Sequence, residues 1–298
     1  MTDLEDLLPT FESKTIPTEA GRIFARTAGS GPPLVLLHGF PETLAMWHRL
    51  APALSRHFSV VAMDLRGYGW SSAPKSRGGE AYAKRQMGRD VVAVMEALGH
   101  ATFALAGHDR GARVGYRLAL DAPGRITKLA LLDIYPTVEV WRKIEAGTGV
   151  SPHWPRLATA EPQPETEIGR DPDGYFTGLM SHWTRGRNLH AFDPRALALY
   201  RAAWGDPSRI HAMCEDYRAG ATLDRAADEA DEAAAKTIPC PVLILAGTDY
   251  LASGDGETPL DIWRRGFAPH AQGQTIPSGH FLAEEAPEAT LAALEAFL

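Results

Sequence analysis

The sequence predicts an α/β protein: a mostly parallel, doubly wound sheet with a block of helices inserted late in the chain. Three observations lead there. Short β-rich apolar runs alternate with helical stretches. One strand-like run turns abruptly into a helix through Gly107-His108-Asp109-Arg110-Gly111. The regular spacing then breaks once, over residues 133–241.

Taken in order, residues 11–28 predict an antiparallel edge. Leu34–Leu37, Ser59–Met63, Thr102–Ala106, Leu129–Leu132 and Val242–Leu245 are continuous apolar runs of the kind buried on both faces of a parallel sheet. Gln274-Thr275-Ile276 predicts the last strand. Met87–Leu98 and Ala112–Leu120 carry helical periodicity, and right-handed crossovers would place such helices on the sheet faces. The long interval contains Trp141, Trp154, Trp183 and Trp204 and a helical stretch, Pro194–Trp204. It is too long and too apolar for a loop, so it reads as a helical cap over the strand ends. The expected division is a core of residues 1–136 and 237–298, with a cap of 137–236 inserted after the sixth strand. Pro162-Gln163-Pro164 and Asp171-Pro172-Asp173-Gly174 read as turns within it, and Asp224–Lys236 as a solvated helix leading back to the core.

Composition narrows the function. The chain has 298 residues, 45% of them hydrophobic, and a formal net charge of −7. That charge argues against nucleic acid or an anionic membrane as the main partner. No apolar run is long enough to span a bilayer. Met1-Thr2-Asp3-Leu4-Glu5-Asp6 is acidic and lacks a secretion signal, so a cytoplasmic location is expected. Cys214 and Cys240 form no zinc-type cluster, and neither metal nor organic cofactor is expected.

Gly107-His108-Asp109-Arg110-Gly111 has the G-x-nucleophile-x-G spacing of a nucleophile elbow, with a carboxylate where esterases carry serine. The exchange decides the chemistry. Serine attacking a saturated carbon would leave an ether that water does not readily cleave. A carboxylate leaves an ester, which activated water can hydrolyse. Asp109 therefore points to displacement at saturated carbon: removal of halide or opening of an epoxide. Gly279-His280-Phe281 lies between the last strand and the final helix, where a triad histidine falls in the order nucleophile–acid–histidine. His280 would activate water against the Asp109 ester. Asp133 and Asp249 both close strands, and spacing alone leaves either free to orient His280. His38-Gly39-Phe40-Pro41 matches an oxyanion loop, in which a backbone N–H beside Phe40 joins that of Arg110.

With these motifs in hand, the chain resembles the fluoroacetate (haloacetate) dehalogenases of the α/β-hydrolase superfamily. The resemblance spans nearly the whole chain. It rests on His38–Thr43, Gly107–Arg113, Leu132–Thr137, His153-Trp154, Cys214–Ala219 and Gly279–Phe281. It implies an α/β-hydrolase fold, Asp109 as nucleophile, His280 as base and Asp133 as the supporting acid, with Asp249 the alternative. It implies a substrate carboxylate held by Arg110 and Arg113, which lie three apart on one helical face and carry planar guanidinium groups suited to a carboxylate. It also implies a halide pocket of His153, Trp154 and Tyr217, with Trp183 lining it, and a homodimer. The flanks Pro152, Pro155 and Arg156 depart from the family's aromatic residues there. The expected partners are then water and a small haloacid. Two other readings remain. An epoxide hydrolase needs paired tyrosine acids, for which Tyr135, Tyr175, Tyr200 and Tyr217 are available. A ligand-binding protein on a hydrolase scaffold needs no turnover.

Overall fold

The computed structural model describes residues 4–148, 152–252 and 256–298. Eight strands form one sheet: β1 (Glu12–Thr18), β2 (Gly21–Ala28), β3 (Pro33–Leu37), β4 (Ser59–Met63), β5 (Phe103–His108), β6 (Ile126–Leu132), β7 (Val242–Gly247) and β8 (Gln272–Ile276). Their spatial order is β1-β2-β4-β3-β5-β6-β7-β8. The hairpin β1–β2 is antiparallel and adds to β4 antiparallel, while β4 to β8 run parallel. β3 therefore sits where the chain reverses its direction of travel across the sheet, first to β4 and then back to β5. Such a switch point opens a crevice beyond the carboxyl ends of the strands.

The central strands are buried along nearly their whole length, which is why unbroken apolar runs betrayed them. β8 is the exception: it is an edge strand with four exposed residues before buried Ile276. Helices α1 (Lys84–Ala97) and α2 (Asp109–Asp121) flank the sheet. α2 starts at Asp109 itself, three residues earlier than its apolar periodicity, because Gly111 allows the helix to begin against β3. A Cβ at Gly111 would lie 2.5 Å from the His38 carbonyl oxygen. The bare backbone instead donates Gly111 N–H to that oxygen at 2.9 Å.

Between β6 and β7 the chain forms helices α3 (Thr137–Glu145), α4 (His153–Leu157), α5 (Gln163–Ile168), α6 (Pro172–Trp183), α7 (Pro194–Trp204), α8 (Pro207–Ala219) and α9 (Arg225–Ala233). Both expected turns are helix starts. Pro162 is the N-cap residue of α5, and Asp171 caps α6 by accepting from Gly174 N–H at 3.0 Å. Turn and N-cap favour the same residues: a short polar side chain accepts from backbone N–H groups that have no helical partner, and proline has no N–H to leave unpaired. The expected solvated helix is α9, but one face of it is not solvated. Asp228 is fully buried, accepting from Tyr116 Oη at 2.8 Å and from Val138 N–H at 3.1 Å. Among the described residues, no helix is long and apolar enough to cross a membrane.

Candidate active site

The β5–α2 turn places Asp109 at φ 41, a left-handed conformation that few non-glycine residues adopt. Its side chain is buried at the switch point between β3 and β5. The loop after β3 approaches so closely that a Cβ on Gly39 would lie 2.8 Å from Asp109 Cβ. This approach brings Phe40 N–H to Asp109 Oδ2, 3.1 Å away. The other oxygen, Oδ1, lies 3.9 Å from Arg113 Nε. Burial alone would raise the Asp109 pKa, but the charges of His280, Arg110, Arg113 and His108 outweigh it and hold the group below the usual carboxylate value. The N-terminus of α2 acts in the same sense.

The loop after β8 carries His280, and its Nδ1 lies 2.6 Å from Asp133 Oδ2. Asp133 directly follows β6 at φ 55, and its Oδ1 accepts Gly247 N–H at 2.9 Å. The carboxylate is thus fixed by the neighbouring strand on one side and by the imidazole on the other. Asp249, the alternative, is engaged elsewhere. It is 40% exposed, bonded to Thr248 Oγ1 at 2.6 Å and paired with Arg185 at 3.3 Å. Both acids close strands, but only Asp133 turns its side chain under His280.

Beneath His280, His108 holds the His280 carbonyl oxygen through Nε2 at 2.8 Å, and its Nδ1 lies 3.2 Å from Glu42 Oε2. Burial lowers the His108 pKa, but Glu42, Asp109 and Asp133 more than reverse this and push it up to about 9. Burial also raises Glu42, which opposes an ion pair. Three carboxylates around one imidazole favour the charged His108.

A cavity of about 40 Å³ lies against these groups, lined by Asp109, Asp133 and His280 from the core and by Arg113 of α2. His153, Trp154 and Trp183 wall it from the insertion. The two prolines flanking His153 and Trp154 fall at the start of α4, where a missing N–H costs nothing, and Arg156 points outward to Glu167. A π-helical turn, Gly220–Asp224, leaves the Gly220 carbonyl accepting the Trp141 indole at 2.8 Å, and Trp141 in turn packs against Trp154. Burial pushes the His153 pKa down to about 3, so its imidazole is neutral. The Tyr217 ring lies 5.6 Å from His153 and 5.5 Å from Trp154, packed against both without lining the cavity. Phe40 likewise packs on His153, Trp183 and Tyr217, and what it turns toward Asp109 is its backbone.

The expected pair of arginines is not symmetric. Arg113 lines the cavity, with Nη1 donating to the Tyr135 carbonyl at 3.0 Å and to Thr137 Oγ1 at 3.2 Å. Arg110 does not line it. Its guanidinium grips Asp216 through Nε at 3.1 Å and Nη2 at 2.8 Å, with the Tyr217 ring 4.1 Å away. Asp216 is itself held by Tyr68 Oη at 2.9 Å and by buried Lys84. Arg110 Nη1, Arg113 Nε and His153 Nδ1 remain buried without a hydrogen-bond partner among the described residues. Such unsatisfied polar atoms mark a place for a ligand or ordered water.

Sequence reasoning passed over Tyr250, Lys143 and the hold of Asp216 on Arg110. Tyr250 lies just past β7, with its ring 4.6 Å from that of His280, and a strand's carboxyl end was the available signal. Lys143 belongs to no motif. Of the tyrosines considered as epoxide acids, Tyr135 lines the cavity but donates its hydroxyl to the Leu251 carbonyl, and Tyr200 donates to Glu284.

Residues 32–287 match the family model described as the alpha/beta hydrolase fold. A fluoroacetate dehalogenase of Burkholderia sp is 39% identical over 290 residues, covering 97% of this chain and 94% of its own. A soluble epoxide hydrolase of Corynebacterium sp. (strain C12) is 30% identical over 279 residues, covering 88% of each chain. Among solved structures, a Pseudomonas aeruginosa protein described as an epoxide hydrolase, a point mutant with bound MFA, superposes with a TM-score of 0.91 at 42% identity, covering 99% of this chain and 97% of its own. The chain is a hydrolase of the α/β-hydrolase superfamily and belongs, within it, to the family of the haloacetate dehalogenases.

Proposed function

We propose that the protein hydrolyses the carbon–halogen bond of small 2-haloacids such as chloroacetate or fluoroacetate. The observation that carries this is the cavity itself. It places a carboxylate, a His–Asp pair and an arginine around a small cavity of about 40 Å³. That suits a haloacetate and is tight for an aryl epoxide. Arg113 Nε, buried and unsatisfied on the cavity wall, suits an anionic substrate.

In the first step Asp109 Oδ1 forms a bond to the α-carbon, and the halogen departs with the electron pair of the C–X bond. Arg113 holds the substrate carboxylate, with Arg110 adding positive charge behind it. This offsets repulsion between two anions brought together for displacement. His153 and Trp154 donate to the departing halide, with Tyr217 supporting them. In the second step His280 takes a proton from water, and the resulting hydroxide attacks Asp109 Cγ. Charge collects on Oδ2, where the Phe40 N–H already points. Collapse breaks the Cγ–Oδ1 bond, His280 returns its proton to the departing oxygen so that glycolate leaves, and the Asp109 carboxyl loses its proton to solvent, restoring the carboxylate. Asp133 holds the imidazole in place and stabilises its cation. No step calls for a metal or an organic cofactor.

An epoxide hydrolase would share the first residue and the histidine, and the Corynebacterium relative keeps that reading in the test. Purified protein is incubated separately with chloroacetate, fluoroacetate and styrene oxide. Halide release with glycolate formation is expected, and diol formation without halide release would replace the proposal. A single turnover in heavy-oxygen water should leave the label in Asp109, and Asp109→Asn should release no halide.

A further inference from the structure

The cavity opens past four partly exposed lining residues: Tyr135, Lys143, Tyr250 and Leu251. Among the described residues of this rim, Lys143 alone carries a charge. It projects from α3 with 29% of its side chain exposed. Its ammonium lies 5.1 Å from the centre of the Tyr135 ring, and its nearest carboxylate, Glu139, is 4.0 Å away. Among the described residues, no acid lies within hydrogen-bond distance of it, so it is held over the opening by an aromatic face and keeps its donors.

The setting gives this placement a consequence. The chain carries a net charge of −7, and two of the cavity walls are the carboxylates Asp109 and Asp133. An anion approaching the crevice meets overall repulsion before it reaches Arg113. A cation at the rim makes the local potential along the entry path less negative, and a low-dielectric cleft focuses that field.

We infer that Lys143 recruits small carboxylate anions into the cavity and thereby sets the protein's preference for anionic over neutral substrates. This rests on the haloacid reading of the site and adds a residue to it. Lys143 acts on arrival, not on bond making. Its removal therefore moves KM and leaves kcat in place. Glu139 and Glu257 also face it, as do Arg142 and Arg265 through those acids. The readout is accordingly the change on substituting Lys143, not an absolute potential.

The test uses the full chain with Lys143→Met and Lys143→Glu. The loss of one charge at the rim should lower kcat/KM for chloroacetate about fivefold in K143M, and the doubled charge change should lower it about 25-fold in K143E. kcat should stay within about twofold. The wild-type kcat/KM should fall with added salt, and that slope should flatten in K143M and reverse in K143E. Acetate binding, measured by calorimetry on the same three proteins, should weaken in the same order. Unchanged kcat/KM and acetate affinity in K143E would overturn the inference, as would a loss confined to kcat. A wild-type protein that binds acetate in this Lys143-dependent way yet releases no halide would defeat the haloacid reading and leave the recruitment standing. A wild-type protein that does not bind acetate would defeat the recruitment.

Discussion

Arg113→Gln tests the asymmetry of the two arginines. The substitution removes the charge but keeps an amide that can still donate to the Tyr135 carbonyl and Thr137 Oγ1, so the β6–α3 junction retains its ties. Arg113 Nε lies 3.9 Å from Asp109 Oδ1. At an effective dielectric of about 20, that separation corresponds to about 4 kcal/mol between unit charges. A substrate carboxylate in hydrogen-bond contact with Arg113 loses a comparable amount, within the range of about 3–5 kcal/mol for stripping one partner from a buried pair. Halide release from chloroacetate should therefore show kcat/KM lower by about 10²–10⁴. The acid limb of the pH–rate profile should also move up, since Arg113 is one of the charges that hold the Asp109 pKa down. A variant within about threefold of wild type, with its acid limb unmoved, would refute the assignment of carboxylate binding to Arg113.

His280→Asn should allow halide release once per active site and then stall, with intact mass showing the substrate's carboxymethyl group on Asp109; no adduct would mean that His280 acts before alkylation. Asp133→Asn should cost about 10²–10⁴ in kcat while Asp249→Asn costs little, and equal losses would reopen the choice between them. His108 titrates upward from 6.5 to about 9 on folding. A raised pKa gives stability that is complete below pH 6.5 and lost as pH rises through about 9, here about 3 kcal/mol. Denaturant midpoints should fall over that window in the wild type and fall less in His108→Gln; an identical profile in the variant would remove His108 from the account.

The strands were legible because burial on both faces leaves no polar residue to interrupt them, and Ser59–Met63 and Pro194–Trp204 lie where the pattern puts them. Helix starts were less legible. Asp171-Pro172-Asp173-Gly174 is equally good chemistry for a turn and for a cap, and only the residues after Gly174 distinguish the two. Asp109, His280 and Phe40 could be found because their motifs are local. The choice between Asp133 and Asp249 could not be made from the residues, since it depends on which side chain the β6–β7 register turns inward. The binding of Arg110 by Asp216 joins residues 106 positions apart and leaves no trace in local pattern.

That last contact bears on how molecules come and go. Asp216 belongs to α8, while Arg110 and Lys84 belong to the helices flanking the sheet and Tyr68 to the loop after β4. The helices over the crevice are thus riveted to the floor by charges shut away from water. Swinging them aside as one body would strand those ions, at about 3–5 kcal/mol for each broken pair, and would slow every turnover accordingly. A passage that leaves those pairs intact must run between the partly exposed side chains that line the cavity, Tyr135 and Leu251 among them.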